Sequence, residues 1–93
     1  MELYKIIILA EAEEHLEEYK KSGNETIKER FSRIFRELKQ HPEIGIGKPK
    51  KLKHQYAGYW SRRINKKNKM IYEIRKTEIT VYIISAKDHY EDH

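Results

Sequence analysis

Between residues 24 and 40, Ile27, Phe31, Ile34, Phe35 and Leu38 recur at i, i+4, i+7, i+8 and i+11. That spacing lines one face of an α-helix and cannot line one face of a strand. Pro42 ends the pattern, because proline removes a backbone donor and clashes with the preceding turn. A long amphipathic helix in a chain of 93 residues needs an apolar partner surface, and the rest of the chain must supply it.

Residues 11–21 form a second, weaker helix pattern, with Ala12, Leu16 and Tyr19 on one stripe and Glu13, Glu14, Glu17 and Glu18 left to solvent. Ser22-Gly23-Asn24 separates the two helices. Ser22 and Glu25 have capping-box spacing, and Asn24 is a rival N-cap. His15 and His41 read as surface or capping residues. Ahead of the helices, residues 3–9 are aliphatic on both faces, which predicts a central or covered strand.

Beyond Pro42 the pattern changes to period two. Gly45-Ile46-Gly47-Lys48-Pro49 is a loop, because Gly and Pro alternate too closely for a regular element. A short strand falls near residues 51–53. Residues 59–65 alternate, with Tyr59, Ser61 and Arg63 on one face and Trp60, Arg62 and Ile64 on the other. A polar turn at residues 65–68 leads to strands at 69–75 and 78–85, joined by Lys76-Thr77. The order β-α-α-β-β-β predicts one α+β domain over residues 1–93. A helical hairpin packs on one face of a curved, mainly antiparallel sheet of four to five strands. The expected core is Ile6, Ile8, Leu16, Ile27, Phe31, Ile34, Leu38, Trp60, Tyr72 and Ile83.

Charge divides the same way. Residues 1–44 carry 8 Lys/Arg and 10 Asp/Glu, whereas residues 45–93 carry 12 and 5. From Lys48 to Lys76 there are 11 basic residues against the single acid Glu73. Such a surface predicts a polyanionic partner: nucleic acid, an anionic membrane or an acidic protein. With no cysteine there is no disulfide scaffold and no Cys-ligated zinc, which suits a reducing, cytoplasmic compartment. The longest aliphatic run, residues 6–10, is too short for a membrane span. No triad, P-loop or HExxH motif is present.

The candidate chemistry is therefore basic and aromatic. Arg63 is expected on the open face of the sheet, where its guanidinium suits bidentate capture of phosphate. His54 lies in the basic block. Near the end of the chain, His89 is a general acid or base candidate and Tyr90 a stacking or phosphate-binding candidate. His89 and His93 share i, i+4 spacing, but without a helix to fix the pair the reading expects no metal.

Several blocks resemble a known family. They are Gly45-Ile46-Gly47-Lys48-Pro49, Leu52-Lys53-His54, Gly58-Tyr59-Trp60-Ser61-Arg62-Arg63-Ile64, Met70-Ile71-Tyr72 and the late His89-Tyr90. Together they look like the YoeB/Txe toxins of the RelE/ParE superfamily, over nearly the whole chain. The resemblance implies a RelE-like fold and a ribosome-dependent mRNA endonuclease that uses no metal and no cofactor. It also implies a cognate antitoxin that wraps the site, with a homodimer as one assembly open to the toxin. In such enzymes the ribose 2′-hydroxyl attacks its own 3′-phosphate, giving a cyclic phosphate and a free 5′-hydroxyl.

Carried across residue by residue, the resemblance makes Arg63 the phosphate clamp, with Lys53 and Lys69 beside it. His89 becomes the general acid and Tyr90 its neighbour. Lys48, Lys51, His54 and Arg62 would grip RNA. Two positions depart from the family pattern: Lys50 stands where a glutamate general base is usual, and Lys69 where an arginine is usual. Lys48, Lys50, Lys51 and Lys53 crowd six residues, and like charges depress one another's pKa, which is the route by which one of them, Lys50 at the glutamate's place, becomes the base; the rival reading is an enzyme of reduced activity. The alternative is a non-catalytic ParE-like toxin that poisons a DNA-processing enzyme, or a plain nucleic-acid-binding module.

Overall fold

The computed structural model describes residues 3–87. The elements follow one another as β1 (Lys5–Ile8), α1 (Ala10–Ser22), α2 (Glu25–Gln40), β2 (Lys50–Lys51), a 3-10 turn (His54–Tyr56), β3 (Trp60–Arg63), β4 (Lys69–Arg75) and β5 (Thr80–Ser85). The five strands form one sheet in the order β1-β5-β4-β3-β2. The ladders β2–β3, β3–β4 and β4–β5 are antiparallel. The β1–β5 ladder is parallel, with Lys5 opposite Thr80 and Ile8 opposite Ile83.

Local signals set the start of α2 and the end of α1. Asn24 caps α2, its side-chain oxygen accepting the Ile27 N–H at 3.1 Å. Ser22 is engaged elsewhere, donating to the Tyr19 carbonyl at 2.7 Å, so the capping-box alternative is not formed. α1 stops at Gly23, whose φ of +72° is the left-handed conformation that closes helices.

The core lies between the hairpin and one face of the sheet. Ile27, Phe31, Ile34 and Leu38 of α2 are buried with Tyr72, Val81 and Ile83. Tyr19 and Phe31 rings meet at 5.2 Å between centroids, and Trp60 stacks on Tyr72 at 6.4 Å. Ile6, Ile8, Leu16 and Trp60, all expected in the core, are partly buried at its rim. Ile64 and Met70 are fully buried and complete it.

β1 occupies a sheet edge, not the centre, and is covered on one face by the helices, the second of the two positions its composition predicts. Ile6 and Ile8, opposite Val81 and Ile83, face the helices, and the Tyr4 N–H donates to the Lys39 carbonyl at the end of α2. His15 also departs from its surface reading. It is half-buried, and its Nδ1 accepts the Ala86 N–H at 3.0 Å, while the Tyr19 hydroxyl donates to the Ala86 carbonyl at 2.9 Å.

Candidate functional site

The register of β2, β3 and β4 decides which basic side chains act together. Residues directly opposite across a ladder share a face, and so do residues two apart along a strand. Lys50 lies opposite Ser61, Ser61 opposite Ile71, and Arg63 opposite Lys69. Lys50, Ser61, Arg63, Lys69 and Ile71 therefore share the sheet face turned away from the helices. Ser61 and Ile71 are 2% exposed and form the floor, with Arg63 and Lys50 exposed above it. Arg63 is about 7 Å along β3 from Ser61, the length of two extended residues. Lys50, Arg63 and Lys69 form a cationic rank on this face, and farther along β4 the same face carries Glu73, which pairs with Arg75 at 3.2 Å.

The same register separates other candidates from that rank. Lys51 is opposite Trp60, on the helix-facing side, with its ammonium 5.9 Å from the indole centroid. It lines a separate cleft with Glu43, Tyr59, Trp60 and Lys76. Lys53 and His54 are exposed on the loop joining β2 to β3, where the Leu52 N–H donates to the Tyr59 carbonyl. Lys53 immediately precedes the 3-10 turn, and His54 adopts φ +58°. His89 and Tyr90 lie outside the described residues.

Arg62 corrects its assignment as an RNA contact. Its side chain is fully buried and faces the core, opposite Met70. A buried guanidinium requires compensation, and here both Nη atoms receive it, while Nε has no hydrogen-bond partner among the described residues. Arg62 Nη1 donates to Glu37 Oε1 at 2.7 Å, and Nη2 donates to the carbonyls of Ile44 at 2.9 Å and Pro42 at 3.3 Å. The Tyr72 hydroxyl also donates to Pro42, at 3.1 Å. Glu37 in turn accepts the Ile46 N–H at 3.0 Å and Arg33 Nε at 3.3 Å. Burial pushes the Glu37 carboxyl up, but the Ile46 amide, Arg33 and Arg62 outweigh that and hold it below the usual carboxylate value. Burial likewise raises the Tyr72 phenol, against an opposing influence from Arg62.

Around this ion pair the loop at residues 42–49 is wound, which explains its two glycines. A Cβ on Gly45 would collide with the Glu37 carboxylate. One on Gly47 would collide with the Arg63 carbonyl and sit 2.7 Å from Arg62 Cγ, and Gly47 has φ +84°. The Gly47 carbonyl accepts the Arg63 N–H at 2.7 Å, so loop and strand are stitched where the phosphate-clamp candidate begins. Lys48 follows at φ +52° and lines a cleft with Arg63. Arg30 and Lys66 also line it, although nothing in their local pattern marks them, since only the tertiary fold brings α2 to the turn after β3.

Among the described residues no helix is long and apolar enough to cross a membrane.

The family model for the YoeB-like toxin of bacterial type II toxin–antitoxin systems matches residues 10–90. Toxin YoeB of Synechocystis sp. is 39% identical over 62 residues, spanning 67% of this chain and 70% of that one. Toxin RelK of Mycobacterium tuberculosis is 38% identical over 61 residues, 66% of this chain and 69% of its own. Among solved structures, a YoeB/ParE toxin from Agrobacterium tumefaciens superposes with a TM-score of 0.84 at 28% identity, covering 92% of this chain and 99% of that chain. A YoeB–YefM complex from Staphylococcus aureus contains a chain with a TM-score of 0.77 at 30% identity, over 94% and 98% of the two chains. A YoeB dimer from the same organism gives 0.78 at 28% identity, over 94% and 98%.

Proposed function

Because this chain belongs to the YoeB-like toxins of bacterial type II toxin–antitoxin systems, we propose that it is a ribosome-dependent mRNA endonuclease. It would act in the cytoplasm as a single domain and draw its catalytic charge from side chains. The observation that carries this reading is the rank of Lys50, Arg63 and Lys69 on one face of three adjacent strands.

Cleavage by the ribose 2′-hydroxyl sets three tasks: removing its proton, neutralising charge that builds on the phosphate, and protonating the departing 5′ oxygen. Arg63 and Lys69, facing each other across β3–β4, suit the second, and the family pattern adds Lys53. Lys50, on the neighbouring strand, is the group placed to receive the 2′ proton. His89 and Tyr90, assigned from the family pattern, supply the acid and its support. The Arg62–Glu37 pair orders the loop ahead of Lys50 and touches no substrate.

The YoeB–YefM complex among similar structures supports a cognate antitoxin as partner, and the YoeB dimer supports a homodimer as a further assembly. A half-chain with 12 basic and 5 acidic residues suits an acidic antitoxin segment that orders on binding.

Primer extension on mRNA from cells induced to make the toxin tests the reading. Discrete cuts inside translated codons, lost in Arg63→Ala, are expected. Intact mRNA accompanied by DNA damage would replace it with the ParE-like alternative.

A further inference from the structure

A cleft of 420 Å³ lies beside the rank at the end of β3. α2 contributes Arg30, the loop before β2 contributes Gly47 and Lys48, β3 ends there with Arg63, and the following turn adds Asn65 and Lys66. Four of its lining residues are cationic and none is acidic.

Arg30 is the telling member. Its neighbours on α2 are paired, Lys28 with Glu25 at 3.4 Å and Arg33 with Glu37 at 3.3 Å. Arg30 Nε is buried and has no hydrogen-bond partner among the described residues. A guanidinium N–H withdrawn from water without an acceptor is an uncompensated desolvation. Turned into the cleft that Arg30 lines, a guanidinium is the group best shaped to recover it from a phosphate. Opposite, Lys48 is held in a left-handed conformation that lysine rarely adopts, and such strain gathers at ligand sites.

We infer that this cleft holds a second phosphate of the RNA strand, adjacent to the one at the cationic rank, with Arg63 between them. The inference rests on the endonuclease reading and deepens it: the strand would cross from the open sheet face toward α2. Arg30 and Lys66 bind there and take no part in bond breaking.

The experiment uses the full chain and 2′-O-methyl pentanucleotides of mixed sequence, which cannot supply the attacking hydroxyl. Binding is followed as a function of salt, with the Arg30 Nε–H resonance observed by NMR. That resonance should move on titration. Arg30→Gln should weaken binding several-fold at low salt and reduce the log–log salt slope by about 0.7, the value of one single-strand phosphate contact. Lys66→Gln, at an exposed turn, should do the same without touching the core. Unchanged affinity and slope in both variants would overturn the inference. So would a defect confined to binding of the acidic antitoxin segment, which would make this a protein groove. If the wild type fails to cut mRNA while Arg30→Gln still lowers oligonucleotide affinity, the subsite stands and the endonuclease reading falls. Cutting by the wild type with no effect of Arg30→Gln or Lys66→Gln on oligonucleotide affinity or salt slope gives the reverse.

Discussion

Arg62 and Glu37, 25 positions apart in the chain, meet at 2.7 Å beneath the loop that leads into β2. Neither is free to approach a substrate. Arg62 is fully buried and the Glu37 side chain is 15% exposed. Together they bind Pro42, Ile44 and Ile46, so three backbone groups of one loop are held by one ion pair.

Breaking that pair is expected to cost about 3 kcal/mol, because the remaining charge stays buried without its partner. Arg62→Met should show this in urea unfolding as a lowered midpoint. Replacing both residues, as Glu37→Leu with Arg62→Met, should cost at least 1 kcal/mol less than the two single changes added together. Additive losses would show that the two side chains stabilise the loop independently.

Gly47→Ala combines two penalties, a positive φ and a collision with β3. Gly23→Ala carries the first alone, since its added methyl group meets open space at φ +72°. The expected loss is about 1 kcal/mol for Gly23→Ala. Gly47→Ala should lose clearly more and should also impair RNA cleavage, because Arg63 is displaced. Equal losses from the two variants would mean that the loop yields freely.

The contrast between what sequence reveals and what it hides follows the same line. α2, with its stripe from Ile27 to Leu38 and its Asn24 cap, was legible because both signals are local. The exposed position of Arg63 was legible too, from strand alternation. Alternation puts Arg62, its immediate neighbour, on the opposite face with Trp60 and Ile64, but its assignment as an RNA contact failed because its partners are Glu37 on α2 and carbonyls of residues 42 and 44. No pattern within a strand announces a partner so distant. The edge position of β1 was hidden for a similar reason: one apolar run serves a buried centre strand or an edge strand roofed by helices.

The two departures at the cationic rank predict opposite responses. Lys69→Arg restores a fork opposite Arg63 and should raise cleavage several-fold by bidentate grip on phosphate. Lys50→Glu removes positive charge beside that phosphate and should lower cleavage or leave it flat. A tenfold gain from Lys50→Glu, about 1.4 kcal/mol of barrier, would defeat the lysine-base assignment. Arg63→Ala should cost about 10²–10³ in rate.

Stability should fall in acid through Glu37. Its carboxyl is held below the usual value in the folded protein, so its contribution is complete above the unfolded-state pKa of about 4.3. That contribution is lost as pH falls through the lower folded value. The stability gap between the wild type and Glu37→Gln should be constant from pH 7 to about 5 and shrink below about 4. A gap that persists at pH 3 in urea titrations would sink this assignment.

The parallel ladder joining Lys5–Ile8 to Thr80–Ser85 carries a temporal consequence. β5 lies between β1 and β4, so the first strand has no sheet to join until β5 exists. Closing a loop of some 75 residues must precede the contacts that reward it, which makes this pairing slow relative to the local hairpin of β3 and β4. During synthesis, residues 1–79 cannot complete their core. The ladders that carry the cationic rank can pair locally before then, but the core behind them closes only once β5 has been made.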